Sequence, residues 1–266
     1  MKKSEQKKQE LKKELQTRRT TIIVYIVLRF LVIVSAVAQA MHGNWNNVFL
    51  CIITLILFTF PGLFSRTFKI ELPQTLEIIV YLFIYAAEIC GEIQNFYGIF
   101  DHWDTMLHTL NGFICAAVGF STVDILNRTD KFHINMTPAF VALVSFCFSM
   151  TVGVMWEFFE FTADYYFQQD MQKDRIVEVF QTKYLDESNE MIIIDEIDKT
   201  EITYNNGKQI VIDGYLDIGI IDTMKDLFVN FIGAVIFSIF GFLYIKDRDD
   251  HKWIERFILK LKKVTE

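Results

Sequence analysis

Apolar residues are not spread evenly along this chain. They gather in runs of about the ~20 residues that a helix needs to cross hydrocarbon, and short polar links separate the runs. The pattern predicts six spans, over roughly 21–40, 48–64, 76–96, 104–125, 138–164 and 222–245. Pro61-Gly62 falls near the end of the second, and Pro138 suits the first turn of the fifth. Residues 1–20 form a charged lead-in.

The polar segment 165–221 has a pattern of its own. Glu201-Ile-Thr-Tyr, then Asn205-Asn206-Gly207, then Lys208-Gln-Ile-Val-Ile reads as a β-hairpin, with Asn206-Gly207 as a type I′ turn. The run 191–194 reads as a further strand. In the tail 246–266, Trp253, Phe257, Ile258 and Leu261 alternate with Lys and Arg at helical spacing, which predicts a basic amphipathic helix. The expected fold class is an all-α polytopic membrane protein, a six-helix transmembrane bundle with a small extracytoplasmic β-hairpin insertion.

Composition changes this picture little. A length of 266 residues would suit one or two soluble domains, but 52% hydrophobic residues gathered into spans exclude that class. The net charge of −7 hides an uneven placement: both ends are basic and one internal segment is acidic. The basic ends border spans, so they read as cytoplasmic anchors and not as a nucleic-acid surface. Lys and Arg gather in the N-terminus, the 65–73 and 126–137 loops and the C-terminus, whereas the links 41–47 and 97–103 hold none. Both ends therefore belong in the cytoplasm and 165–221 outside. Cys51, Cys90, Cys115 and Cys147 lie inside apolar runs without metal-ligand spacing and read as buried apolar residues. The start has too long a charged stretch for a cleavable signal peptide.

The candidate chemistry lies in ionisable residues near the span ends. Glu88 and Glu92 end the third span, Asp104 and His108 start the fourth, Glu157, Glu160 and Asp164 end the fifth, and Asp222, Asp226 and Asn230 start the sixth. Spacings of three, four, seven and eight residues put each set on one helix face. The orientation, set by Lys and Arg alone, brings all four sets to the outer half of the membrane. Carboxylates gathered at one depth raise one another's pKa or demand a cation. Carboxylates with one imidazole suit a hard or borderline divalent cation: Mg²⁺, Mn²⁺ or Zn²⁺. Asp104, His108, Glu157, Asp222 and Asp226 are the candidate ligands, with His108 or Glu157 as the proton-moving group. Glu88, Glu92, Glu160, Asp164 and Asn230 would line the rest of the pocket. Arg29 either snorkels inward or pairs with Glu77. Gly112, Gly119, Gly153 and Gly233 read as sites of close helix packing.

The segments Asp104-Thr-Met-Leu-His108, Trp156-Glu157-Phe-Phe-Glu160 and Asp222-Thr-Met-Lys-Asp226-Leu-Phe-Val-Asn230-Phe-Ile-Gly233-Ala234 resemble the VanZ-like membrane proteins, and more closely a bacterial family of membrane-spanning proteins sharing that core. The resemblance covers the fourth to sixth spans. It implies a bacterial cytoplasmic membrane protein linked to the cell envelope, and no settled reaction. Glu160 stands where VanZ-like chains usually carry Gln, and the outer segment is longer. Three classes stay open: an enzyme acting on membrane lipid or lipid-linked phosphate, an ion-coupled transporter, and an envelope scaffold or sensor whose outer hairpin binds a partner.

Overall fold

The structure, a computed structural model, describes residues 18–128 and 135–262. The charged lead-in 1–17, the basic loop around Lys131 and the end of the tail, 263–266, lie outside the described residues. The chain forms two compact units, one of 1–153 with 229–266 and one of 154–228.

In the first unit, α1 (Arg19–Met41) and α2 (Trp45–Leu57) form an antiparallel pair, and α3 (Phe60–Thr67) continues the path of α2. Pro61, within the first turn of α3, has no N–H to give to the preceding turn, so the ladder breaks between the two helices. Leu28 and Val32 of α1, Cys51 of α2, Phe58, Tyr81 and Ile89 form one buried cluster. Beyond the short strand β1 (Ile70–Glu71), α4 (Gln74–Tyr85) starts after Pro73 and continues as a π-helix over Ala86–Ile93. Trp103 Nε1 donates to Ala86 O at 3.3 Å and competes for the carbonyl at the first π residue. After the single turn α5 (Phe96–Ile99) come the long helices α6 (Trp103–Arg128), α7 (Pro138–Phe167) and α8 (Ile220–Lys246).

Five stretches are long and apolar enough to cross a membrane: Arg19–Met41, Trp45–Thr67, Trp103–Arg128, Pro138–Phe167 and Ile220–Lys246. Their apolar side chains are widely exposed. Only 17% of the α1 stretch is buried, and Ile26, Phe30 and Val37 are more than half exposed. A water-facing helix would not leave such a face uncovered. The expected third span, 76–96, is helical as far as Ile93 and is divided between α4 and the π-helix.

The tail departs from expectation. Residues 252–257 form a 3₁₀ turn and Lys260–Leu261 form β8, paired antiparallel with β1 (Ile70 with Leu261, Glu71 with Lys260). The helical spacing of its apolar residues does not make an amphipathic helix, because Ile254, Ile258 and Leu259 are 0%, 3% and 3% exposed. Leu259 N donates to Ser121 Oγ at 2.9 Å, so the tail is clasped onto α6.

The second unit holds the end of α7, the start of α8 and three antiparallel strand pairs. They are β2 (Arg175–Val177) with β7 (Tyr215–Asp217), β3 (Phe180–Thr182) with β4 (Ile192–Ile194), and β5 (Thr200–Tyr204) with β6 (Lys208–Ile212). The hairpin and the strand at 191–194 expected from sequence are both present. The turn differs: Tyr204 pairs with Lys208, so the loop is 205–207, and φ is +44°, +63° and +98° along it. The left-handed stretch begins one residue earlier than expected, because Asn205 also tolerates that conformation.

Candidate functional site

The first unit holds Asp104 and His108 in the opening turns of α6. A carboxylate in a first turn is favoured by the helix dipole. The i, i+4 spacing brings His108 Nε2 to 3.4 Å from Asp104 Oδ1, and the side chains are 12% and 28% exposed. One turn further along, Asn111 Nδ2 donates to Asn230 Oδ1 of α8 at 3.3 Å. Asn230 is 1% exposed. Its neighbours explain three of the glycines. A Cβ at Gly112 would lie 2.1 Å from Asn230 O, one at Gly153 2.6 Å from Asn230 Nδ2, and one at Gly233 2.0 Å from Thr109 O. These backbones touch only because the side chains are missing. Ser149 and Ser145 of α7 donate to Gly112 O at 2.8 Å and Ala116 O at 2.7 Å, tying α7 to α6.

The second unit holds Glu157, Glu160 and Asp164 of α7 with Asp222 and Asp226 of α8. Glu157, Glu160, Asp222 and Asp226 are 4%, 8%, 4% and 1% exposed. Trp156 Nε1 donates to Glu160 Oε1 at 2.8 Å. Asp164 accepts the N–H groups of Met171 and Gln172 at 2.7 and 2.8 Å, which turns the chain out of α7. Asp222 accepts Lys173 N at 2.9 Å and the Arg175 guanidinium at 3.3 Å. Asp164 and Asp222 thus anchor the segment that follows α7.

Glu88 and Glu92 belong to the π-helix of the first unit, and Glu88 is the more buried of the two. Arg29 does not reach Glu77. Its guanidinium lies 5.3 Å from the centroid of the Tyr25 ring and donates to that tyrosine's hydroxyl. Glu77 is held by Arg18 and accepts from Tyr81 OH at 3.1 Å. Arg18 wins because it starts α1 at the level where Glu77 starts α4, whereas Arg29 sits three turns further along.

One charged group was not anticipated. Asp124 of α6 is 3% exposed and carries Arg128 at 3.0 Å and Arg248 at 2.7 Å. The i, i+4 pair with Arg128 was visible in the sequence; the partner 124 residues away was not.

No solved structure matches this chain. A Thermotoga maritima protein named "Uncharacterized protein" is 25% identical over 104 residues, which cover 39% of this chain and about half, 52%, of that protein. The sequence profile of the family described as "Predicted membrane protein (DUF2238)" matches residues 20–247, from the start of α1 to the end of α8, and the chain belongs to that family.

Proposed function

We propose that this is a multi-pass protein of the bacterial cytoplasmic membrane, with six spans and both ends in the cytoplasm, that binds a divalent cation in an acidic pocket open to the outside. The observation that carries the reading is the burial of Glu157, Glu160, Asp222 and Asp226 within one unit. Each buried carboxylate costs several kcal/mol of desolvation unless positive charge meets it, on the order of 3–5 kcal/mol where a partner is removed. The sequence 154–228 offers one arginine, Arg175, five lysines and no histidine. That arginine is on Asp222. Four carboxylates gathered in one unit are a donor set that a divalent cation would take.

In the first unit, Asp104 and His108 form a carboxylate–imidazole pair of their own, 3.4 Å apart. Oxygen ligands with one imidazole suit Mg²⁺, Mn²⁺ or Zn²⁺. A bound cation would supply polarisation of a phosphoryl oxygen, and His108 or Glu157 would move the proton. The substrate class is a lipid or lipid-linked phosphate arriving from the outer leaflet. The motif resemblance to VanZ-like proteins supports the envelope setting.

Metal analysis and Mn²⁺ titration of purified protein test this beside Asp226→Asn and Glu157→Gln. Wild type should retain Mn²⁺ and both variants should lose it while eluting as the same folded species. Equal metal content in all three sinks the reading.

A transporter is the second reading, favoured by the chain of Arg18, Glu77, Tyr81, Tyr25 and Arg29, which places polar groups along α1 and α4. Cation-driven flux in proteoliposomes, abolished by Arg29→Gln, would select it.

A further inference from the structure

Arg29 is a charge that the cation reading does not use. It is the only charged residue of α1 after Arg19. It stands further along the helix by about 15 Å, inside the stretch long and apolar enough to cross a membrane. Its side chain turns back toward the start of the helix, as helical side chains do, and donates to Tyr25 OH. The guanidinium therefore sits about 9 Å inside the level of Arg19.

No carboxylate among the described residues is spent on it. α1 packs against α2 and α4, and α2 holds no charged residue. Glu77 of α4 is taken by Arg18 and accepts from Tyr81 OH. Glu88 and Glu92 belong to the π-helix, roughly 16 Å or more beyond Glu77, and make no ion pair with Arg29. Tyr25 OH accepts from Arg29, and its own proton meets no acceptor among the described residues. No nitrogen of Arg29 is both enclosed and without a partner. The N–H groups that Tyr25 leaves over are thus at the protein's surface. Ile26 and Ile33, one turn to either side, are 58% and 48% exposed, so this flank of α1 opens toward lipid. Two adjacent donor groups carry one positive charge and lack an acceptor, and a cation in hydrocarbon is expensive without an anion.

A guanidinium offers parallel N–H donors that match an oxyanion, and the tyrosine hydroxyl adds one more. Phosphate is the oxyanion that a bilayer supplies. Depth selects its form. A phosphodiester would draw its polar headgroup inward along with the phosphate, at a cost in desolvation. A phosphomonoester ends at the phosphate. We propose that Arg29 and Tyr25 bind the phosphate of a phosphomonoester lipid on the lipid-facing flank of α1. The site rests on the orientation proposed above, which puts it in the cytoplasmic leaflet, and is independent of the bound cation.

Native mass spectrometry of the detergent-purified full chain tests it, with dioleoyl phosphatidic acid, dioleoyl phosphatidylglycerol and inorganic phosphate as probes. Wild type should retain phosphatidic acid roughly tenfold over phosphatidylglycerol, the equivalent of one hydrogen bond to a charged group. Arg29→Gln should erase the preference. Because it removes an uncompensated charge, it should melt no lower than wild type in lipid-free detergent. Tyr25→Phe keeps the ring packed on Phe58 and Tyr81 and should lower phosphatidic acid retention several-fold. Mn²⁺ retention should be the same in wild type and both variants, so failure of this site and failure of the cation reading are told apart. Equal retention of the two lipids by wild type, or a preference that survives Arg29→Gln, overturns the proposal. Displacement of phosphatidic acid by millimolar inorganic phosphate overturns the assignment to lipid.

Discussion

Two groups of buried carboxylates in this protein are handled in opposite ways. In the first unit, Asp124 is enclosed by two arginines and a tyrosine ring. In the second, four carboxylates are buried, and Asp222 is met by Arg175. A carboxylate with more cation than it needs is a fastener. Several carboxylates gathered in one unit are a different arrangement, of the kind that proteins keep where something must bind. The comparison can be broken from either side.

The largest effect belongs to the fastener. Arg128→Gln combined with Arg248→Gln leaves Asp124 buried without a cation, which should cost about 3 kcal/mol. Adding Asp124→Asn to that pair should return most of the loss. Unfolding in mixed detergent measures both. If the triple variant is no more stable than the double, Asp124 is not what the arginines compensate.

The opposite sign is expected in the second unit. Glu157→Gln removes one of four buried negative charges and should leave stability unchanged or raise it by about 1 kcal/mol, while weakening Mn²⁺ retention. A loss of stability as large as that of the arginine pair would erase the distinction between the two regions.

Much of this was legible in the sequence, and the misses have physical causes. Apolar runs located the helices because only a span needs so long a stretch without charge. The Asn205-Asn206-Gly207 signal located the hairpin, although three left-handed residues shifted its turn by one position. The glycines of the α6–α8 crossing were read as close-packing sites, and they are. The π-helix was not legible, since its cause is the indole of Trp103 reaching Ala86 from another element. The tail reads as an amphipathic helix by periodicity, yet Ile254, Ile258 and Leu259 are buried against partners from far along the chain. Of the candidate site, local pairs such as Asp104 with His108 follow from i, i+4 spacing. The loop-anchoring roles of Asp164 and Asp222 do not, because their partners are backbone N–H groups of a segment with no periodic signal.

A smaller effect, on pH dependence, sharpens the comparison with two carboxyls outside the spans. Glu255, near the fastener, is held below its ordinary value first by the hydrogen bond from Lys260, and also by the charges of Lys260 and Lys252. Asp174, in the second unit, is held above its ordinary value first by burial, then by Asp170, Asp164 and Asp217. The depressed group contributes stability above its unfolded value of about 4, and that contribution is lost as pH falls through the lower folded value. The raised group does the reverse: the native chain takes its proton first, so acidification into that window stabilises. Melting at pH 7 and pH 4 should show Glu255→Gln costing more at pH 7 and Asp174→Asn gaining more at pH 7. Slopes of the same sign would mean that the two regions do not differ electrostatically.

The smallest effect tests how local the second unit's architecture is. Gly207 has φ of +98°, where a side chain is strained, and a Cβ there would meet nothing within 4 Å. Gly207→Ala therefore acts through backbone strain alone, about 1 kcal/mol. The β5–β6 pair is a two-stranded ribbon in no larger sheet, and such a ribbon is marginal by itself. The strain should fray it, so that hydrogen exchange quickens across 200–212. The Asp164 and Asp222 anchors lie outside the ribbon and hold the segment by their own bonds to Met171, Gln172, Lys173 and Arg175. Exchange at 171–175 and Mn²⁺ retention should then stay as in wild type. If both change with the ribbon, the hairpin is part of what keeps the buried carboxylates in place, and the stored charge is held by the whole segment and not by its two anchors.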